Sequence, residues 1–297
     1  MIKYSEIFHS FQGEGKYTGA PSAWLRFFGC NLECPGFGQK DPTDESTYEL
    51  PYKDFDPSTV QRMEDLPVWK FGCDSSYSWA AKFKHLAHSG TADEIAQRLM
   101  DVTQSHTNPV GAFQNPITGQ ETHLVFTGGE PMLSKHQRNI VEIVTALTMR
   151  GNAPKNITIE TNGTKPLTDE FIAFFGDSNK WQGELFFSCS PKLFTVSGER
   201  SERAIQPHVI RGYTELTNAG QLKFVVGTEE RQWDELKAHL AAFREAGVIY
   251  PVTIMPVGAR DEEQQKVAAE VSNRAMDEGF YVSARVHVYV YGNVIGS

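Results

Sequence analysis

Three of the four cysteines in this chain fall in a pattern that suits metal chemistry. Cys30 and Cys34 are separated by three residues, and Cys73 follows after a gap of 38. Structural zinc sites are usually built from two close pairs, and only one close set exists here. A four-iron, four-sulfur cluster ordinarily takes four thiolates. Three would leave one iron open to chelate a small ligand through an amine and a carboxylate. The plain alternative for each cysteine is a packed thiol, since free cysteine is among the most buried residue types. The run Gly29-Cys30-Asn31-Leu32-Glu33-Cys34, a polar turn behind an apolar stretch, is a poor place for packing. Further on, Thr127-Gly128-Gly129-Glu130-Pro131 offers two glycines that let backbone approach a ligand closely. Glu130 beside them could accept a hydrogen bond from a ligand ammonium. Cys189 ends the apolar run Leu185-Phe186-Phe187-Ser188 and reads as a packed thiol.

These groups need elements to position them. Apolar β-like runs at Ser22–Phe28, His123–Thr127, Asn156–Glu160, Glu184–Ser188, Gln221–Val226, Val252–Met255 and Tyr281–Val290 alternate with amphipathic helical stretches. The helices are expected at Thr91–Val102, Lys135–Arg150, Asp169–Phe175, Glu230–Ala246 and Asp261–Glu278. In the fourth, Trp233, Leu236, Leu240 and Phe243 recur at helical spacing. Thr91 and Glu94 form a capping-box pattern. Repeated β–α units imply parallel strands with right-handed crossovers. The expected fold is an α/β partial parallel barrel forming one domain over residues 1–297. In such a barrel chemistry sits at the C-terminal strand ends. Gly29-Cys30, Thr127–Glu130, Thr161-Asn162-Gly163, Ser188–Lys192 and Met255–Gly258 all fall at predicted strand exits. Pro35–Gly72, after the first predicted strand, and Gln104–Glu121 lack a clear period and read as loops or lid-like excursions.

Composition excludes other classes. Basic residues number 28 against 37 acidic, a net charge of −9, which argues against a nucleic-acid-binding surface. No apolar run approaches a membrane span, and Met1–Phe11 has no signal-peptide core. A cytoplasmic location is expected, where cysteines are thiols rather than a disulfide framework.

With these motifs in place, the chain resembles the 7-carboxy-7-deazaguanine synthase family of the radical S-adenosylmethionine superfamily. The matching residues are Glu6-Ile7-Phe8, Phe11-Gln12-Gly13-Glu14-Gly15, Gly19-x-Pro21, Arg26, Gly29-Cys30-Asn31-Leu32, Cys73-Asp74-Ser75, Thr127–Pro131, Glu160–Thr164, Ser190-Pro191-Lys192, Leu222-Lys223, Arg285 and His287. They run through nearly the whole chain. The superfamily normally spaces its cysteines x3 then x2, so the 38-residue second gap is a departure, and Ser75 stands where the family usually has Thr.

The resemblance implies conversion of 6-carboxy-5,6,7,8-tetrahydropterin to 7-carboxy-7-deazaguanine with loss of ammonia. A radical derived from S-adenosylmethionine would remove hydrogen from C6 of the pterin. Cys30, Cys34 and Cys73 would ligate the cluster, and Ser75 would ligate Mg²⁺. Gly129, Glu130, Glu160, Ser190, Pro191, Lys192 and Met255, Pro256, Val257, Gly258 would hold S-adenosylmethionine. Phe11, Gln12, Gly13, Glu14, Arg26, Thr127 and His287 would hold the pterin, with Arg26 gripping its carboxylate. Tyr77 and Trp79 could cover the cluster. The resemblance also implies a homodimer and an electron donor such as flavodoxin or ferredoxin.

Bland readings stand beside these roles. Glu14 and Arg26 could simply pair with each other, Lys192 and Glu160 could be strand-end charges, Ser75 a turn former, and His287 a structural residue of a strand. Two other functions compete. A different radical enzyme of the activating type would use the cysteines but have no reason for Gln12-Gly13-Glu14-Gly15. A structural protein could hold zinc through the four cysteines.

Overall fold

Six of the anticipated strands are strands in the computed structural model, which describes residues 1–292 and 294–296. The chain opens with β1 (Ile2–Phe11), which the sequence reading missed, and returns through β2 (Pro21–Phe27). After the cysteine turn comes a long excursion holding α1 (Pro51–Asp54), and then β3 (His88–Gly90) and α2 (Ala92–Val102). The regular part follows: β4 (His123–Gly128), α3 (Ser134–Met149), β5 (Asn156–Thr161), α4 (Asp169–Phe175) and β6 (Glu184–Cys189). Next come three helices, α5 (Phe194–Ser197), α6 (Ser201–Ala204) and α7 (Pro207–Leu216), and then β7 (Gly220–Val226) and α8 (Glu230–Glu245). The chain closes with β8 (Val252–Pro256), α9 (Asp261–Asp277), β9 (Tyr281–Val282) and α10 (Val286–Tyr291).

The strands form one nine-stranded sheet in the order β3-β1-β2-β4-β5-β6-β7-β8-β9. From β2 to β9 every neighbouring pair is parallel, while β1 runs antiparallel to both β2 and β3. The expectation of a mostly parallel, incomplete α/β barrel therefore holds, with an antiparallel strand added at its start. The excursion consequently follows the second strand rather than the first.

The core explains the helical positions. Trp233, Leu236 and Phe243 of α8 are fully buried against Phe224 and Ile254 of β7 and β8. Each such side chain contributes about 1.5–3 kcal/mol on burial. Thr91 and Glu94 do form the reciprocal capping box that starts α2. α7, absent from the sequence reading, begins with Pro207 in its first turn and buries Ile210 and Tyr213. Its short apolar stripe is hard to see beside the surrounding turns.

The expected strand over Tyr281–Val290 is corrected. Only Tyr281–Val282 pair as a strand, and Val286–Tyr291 is helical. The alternation Val-His-Val-Tyr-Val-Tyr has strand propensity, but tertiary contacts override it. Val286 donates its N–H to Gly13 O at 2.9 Å, and Gly292 ends the helix in the left-handed region with φ 69°. His287 accordingly sits on a helix.

The excursion has short turns and its own apolar cluster. Tyr52, Met63, Leu66 and Trp69 pack with Tyr77, Phe83 and Leu86 from the segment leading to β3. Gln104–Glu121 carries only isolated bridges, as its composition suggested.

Candidate active site

The cysteine turn follows β2, and its shape comes from backbone and polar contacts. Cys34 has φ 50°, alone among the described non-glycine residues in the left-handed region. Asn31 reaches across to the next strand exits: its amide donates to Thr164 Oγ1 at 2.9 Å, and its carbonyl accepts from Asn162 Nδ2 at 3.2 Å. Gly129 lies against this turn, and a Cβ there would fall 2.3 Å from Gly29 O and 2.8 Å from Cys30 Cβ. Only glycine lets the two loops touch.

The 38-residue gap to Cys73 shrinks once the fold is seen. Gly72 N–H donates to Phe37 O at 2.8 Å, so the excursion leaves and returns through a hydrogen-bonded neck. Cys30, Cys34 and Cys73 all line one cavity of about 490 Å³. All three are free thiols. Burial pushes the Cys30 thiol up to about 12, with Glu130 adding to the effect, and pushes Cys73 up to about 11. Burial raises Cys34 as well. Such thiols ionise only beside a strong positive centre, and coordination to a metal supplies one. Among the described residues, no three His, Cys, Asp or Glu side chains converge on a point as a single ion would require. The three thiols border one shared space. Cys189 stands apart at the end of β6, fully buried in the main core.

The same cavity holds a charged network. Glu14 Oε2 accepts from Lys223 Nζ at 2.6 Å and Glu14 Oε1 from Arg285 Nε at 3.0 Å. Lys223 also bonds Glu160 Oε2 at 3.0 Å, and Gln12 Nε2 donates to Glu160 Oε1 at 3.0 Å. Arg285 continues to Asp74 Oδ2 at 2.8 Å and to Gly258 O at 3.2 Å. Burial works to raise Glu14, but Lys223 and Arg285 outweigh it and hold the carboxyl well below the usual range. Asp74 is lowered in the same way, its ion pair with Arg285 overcoming burial. Burial lowers His287, and Glu14 opposes that shift only in part. The His287 ring packs over Gly13, where a Cβ would lie 2.0 Å from Nδ1.

Arg26 and Glu14 do not pair with each other. Arg26 Nε is bound by Glu6, which also accepts from the Tyr77 hydroxyl at 2.9 Å. Arg26 Nη1 reaches Ser75 Oγ at 3.5 Å, and Ser75 donates to Asp74 Oδ1 at 3.1 Å. Lys192 is likewise no free strand-end charge, since it donates to Ser190 Oγ at 2.9 Å inside the cavity.

The cavity is lined by every residue that the sequence reading proposed as a contact except Glu130 and Pro191. Glu130 is fully buried and occupied elsewhere. Its Oε1 accepts from Met132 N at 2.8 Å and Thr161 Oγ1 at 2.6 Å, and its Oε2 from Asn162 N at 2.8 Å. It ties the β4 exit to the β5 exit, so it braces the loop that carries Gly129. Phe11, Thr127 and Met255–Gly258 are in the lining, as are Tyr77 and Trp79. Asp74, Lys223 and Arg285 were not singled out as site residues. Their signal was membership in the motifs Cys73-Asp74-Ser75, Leu222-Lys223 and Arg285-Val286-His287. Phe8 and Trp24 also line the cavity, stacked 5.6 Å apart on β1 and β2, and no spacing pattern marked them.

No family model matches the chain. It is similar to proteins named 7-carboxy-7-deazaguanine synthase. One, from Hyperthermus butylicus, is 24% identical over 98% of this chain and 93% of the relative. Another, from Pyrobaculum aerophilum, is 24% identical over 99% of this chain and 97% of the relative. Among solved structures, the crystal structure of QueE from Escherichia coli superposes with a TM-score of 0.51 at 18% identity. That likeness covers 96% of this chain and 94% of the other and bears on the fold.

Proposed function

We propose that this chain, a relative of the 7-carboxy-7-deazaguanine synthases in the radical S-adenosylmethionine superfamily, converts 6-carboxy-5,6,7,8-tetrahydropterin to 7-carboxy-7-deazaguanine with loss of ammonia. One observation carries the reading. Three unpaired thiols and the Gln12–Glu14–Lys223–Glu160 network line the same cavity. A different radical enzyme of the activating type would need the thiols but not that network.

Cys30, Cys34 and Cys73 hold a 4Fe–4S cluster in this reading. When bound, the cluster and S-adenosylmethionine together supply the radical that starts the ring contraction. The chain's own residues do the rest. Gly129 keeps the backbone low beside Cys30, and Ser190, Lys192 and the Met255–Gly258 exit form the wall for S-adenosylmethionine. Gln12 and Glu14 present acceptors and a donor to a pterin edge, which carries complementary groups. Lys223 and Arg285 fix Glu14 as an anion before substrate arrives, so little reorganisation remains. Phe8 and Trp24 offer flat apolar faces. Ser75 would supply an oxygen ligand for Mg²⁺, which accepts few protein groups and keeps waters. Among the described residues no helix is long and apolar enough to cross a membrane. A cytoplasmic homodimer served by a small electron-transfer protein such as flavodoxin or ferredoxin completes the reading.

The test is direct. Protein prepared without oxygen and reconstituted with iron and sulfide is mixed with reductant, S-adenosylmethionine, Mg²⁺ and the carboxypterin. Mass spectrometry should find both 5′-deoxyadenosine and 7-carboxy-7-deazaguanine. 5′-Deoxyadenosine alone would retain the superfamily and reject the substrate. Colourless protein that folds with zinc would reject both.

A further inference from the structure

We infer that Glu199 is a positioning residue for the cluster, acting through the backbone of Cys34. The inference rests on the cluster reading above. Glu199 follows α5, and its side chain is only 5% exposed. It is not among the residues that line the cavity. Its Oε1 instead accepts two successive N–H groups, from Glu33 at 2.6 Å and Cys34 at 2.8 Å.

Two adjacent N–H groups aimed at one oxygen form an anion-binding nest, the geometry produced when a left-handed residue interrupts a turn. Cys34, with φ 50°, is that residue. A carboxylate buried in the nest therefore selects the backbone conformation that sends the Cys34 side chain toward Cys30 and Cys73. Glu199 is itself anchored. Its N–H donates to Ser197 Oγ at 3.2 Å, Arg203 lies 3.9 Å from its Oε2, and Arg203 also donates to Asn31 O at 2.9 Å. The adjoining bond from Gly36 N–H to Ser197 O, at 2.8 Å, holds the start of the excursion on the same loop. The turn bearing Cys34 is thus fixed from behind before the chain departs on its 38-residue detour.

Outer-sphere partners of metal ligands carry about 10–100-fold of metal affinity. The test compares wild type, Glu199→Ala and Glu199→Gln after reconstitution with iron and sulfide. Loss of the brown cluster to a chelator is followed, and the reduction potential and the spin-resonance spectrum of the reduced cluster are recorded. Glu199→Ala should lose its cluster about tenfold faster than wild type, the lower end for such partners. Glu199→Gln keeps an acceptor oxygen but removes a charge. It should hold the cluster near the wild-type rate with the potential shifted upward, a readout that a merely structural role would not move. Equal loss rates in Glu199→Ala and wild type would overturn the inference. If Glu199→Ala does not fold, an unshifted potential in Glu199→Gln would overturn it. A wild type that takes up no iron and sulfide would overturn the cluster reading itself, and this inference with it.

Discussion

Thr127, Glu160, Ser190 and Lys223 reach the cavity from adjoining parallel strands, whereas Phe37, Pro67, Val68 and Lys70 reach it from a segment with no regular element longer than one helical turn. The first wall stands on the main core, where Phe126, Ile159, Phe187 and Phe224 are fully buried. The second stands on a separate cluster of Tyr52, Met63, Leu66, Trp69 and Phe83. Cys30 and Cys34 leave the first wall, and Cys73 arrives on the second. The difference teaches that the three thiols are joined through two packing units, with the Phe37–Gly72 neck as the seam.

The largest effects come from cutting the seam at its thiols. Cys73→Ala should abolish iron–sulfur uptake and both products, while Cys189→Ala, in the main core, should spare them. Iron analysis and product assay check both, and loss of cluster in Cys189→Ala would redraw the ligand set. Next is Phe83→Ala, which removes a fully buried ring from the excursion's cluster. It should cost about 3–5 kcal/mol. Hydrogen exchange should show protection lost around residues 50–87 and kept in β4–β8. Loss everywhere would make the two walls one cooperative unit.

Lys223→Met tests the strand-exit wall. Removing a charge-assisted contact worth about 2 kcal/mol should lower kcat/KM about thirtyfold. Cluster uptake should be unchanged, because Lys223 touches carboxylates rather than thiols. A loss of cluster in this variant would couple the walls more tightly than the geometry does.

The smallest effect is pH dependence. Glu14 and Asp74 are both lowered: burial opposes ionisation, and Lys223 and Arg285 outweigh it. Unfolded, they titrate near about 4. Their stabilisation is whole above that range and is lost as pH falls through it toward the depressed folded values. Denaturant midpoints should therefore drop on the acid side of about 4, and less steeply in Glu14→Gln. An identical acid limb in the variant would remove Glu14 from the account.

The legibility of the chain follows the same division. The exits of β2, β4, β5, β6 and β8 were readable, because buried parallel strands are apolar runs and the polar motifs at their ends interrupt them. β1 was not. Its Ser5 and Glu6 are buried polar residues that break the alternation, since Glu6 is there to hold Arg26 and Tyr77. α10 was misread because local strand propensity lost to the docking of Val286 on Gly13 and of Arg285 on Glu14 and Asp74. The excursion's cluster has no period at all, so only three dimensions reveal that Trp69 meets Phe83. Within the site, the thiols and Glu14 were plain from motif. The burial of Glu130 under three hydrogen bonds was not, because its partners Thr161 and Asn162 come from the next strand exit.

The central claim is that the thiols and the charged network serve one reaction in one cavity. Carboxypterin carrying deuterium at C6 tests it most directly. Reconstituted protein should transfer that deuterium into 5′-deoxyadenosine while 7-carboxy-7-deazaguanine accumulates. Unlabelled 5′-deoxyadenosine with no deazaguanine would contradict the account.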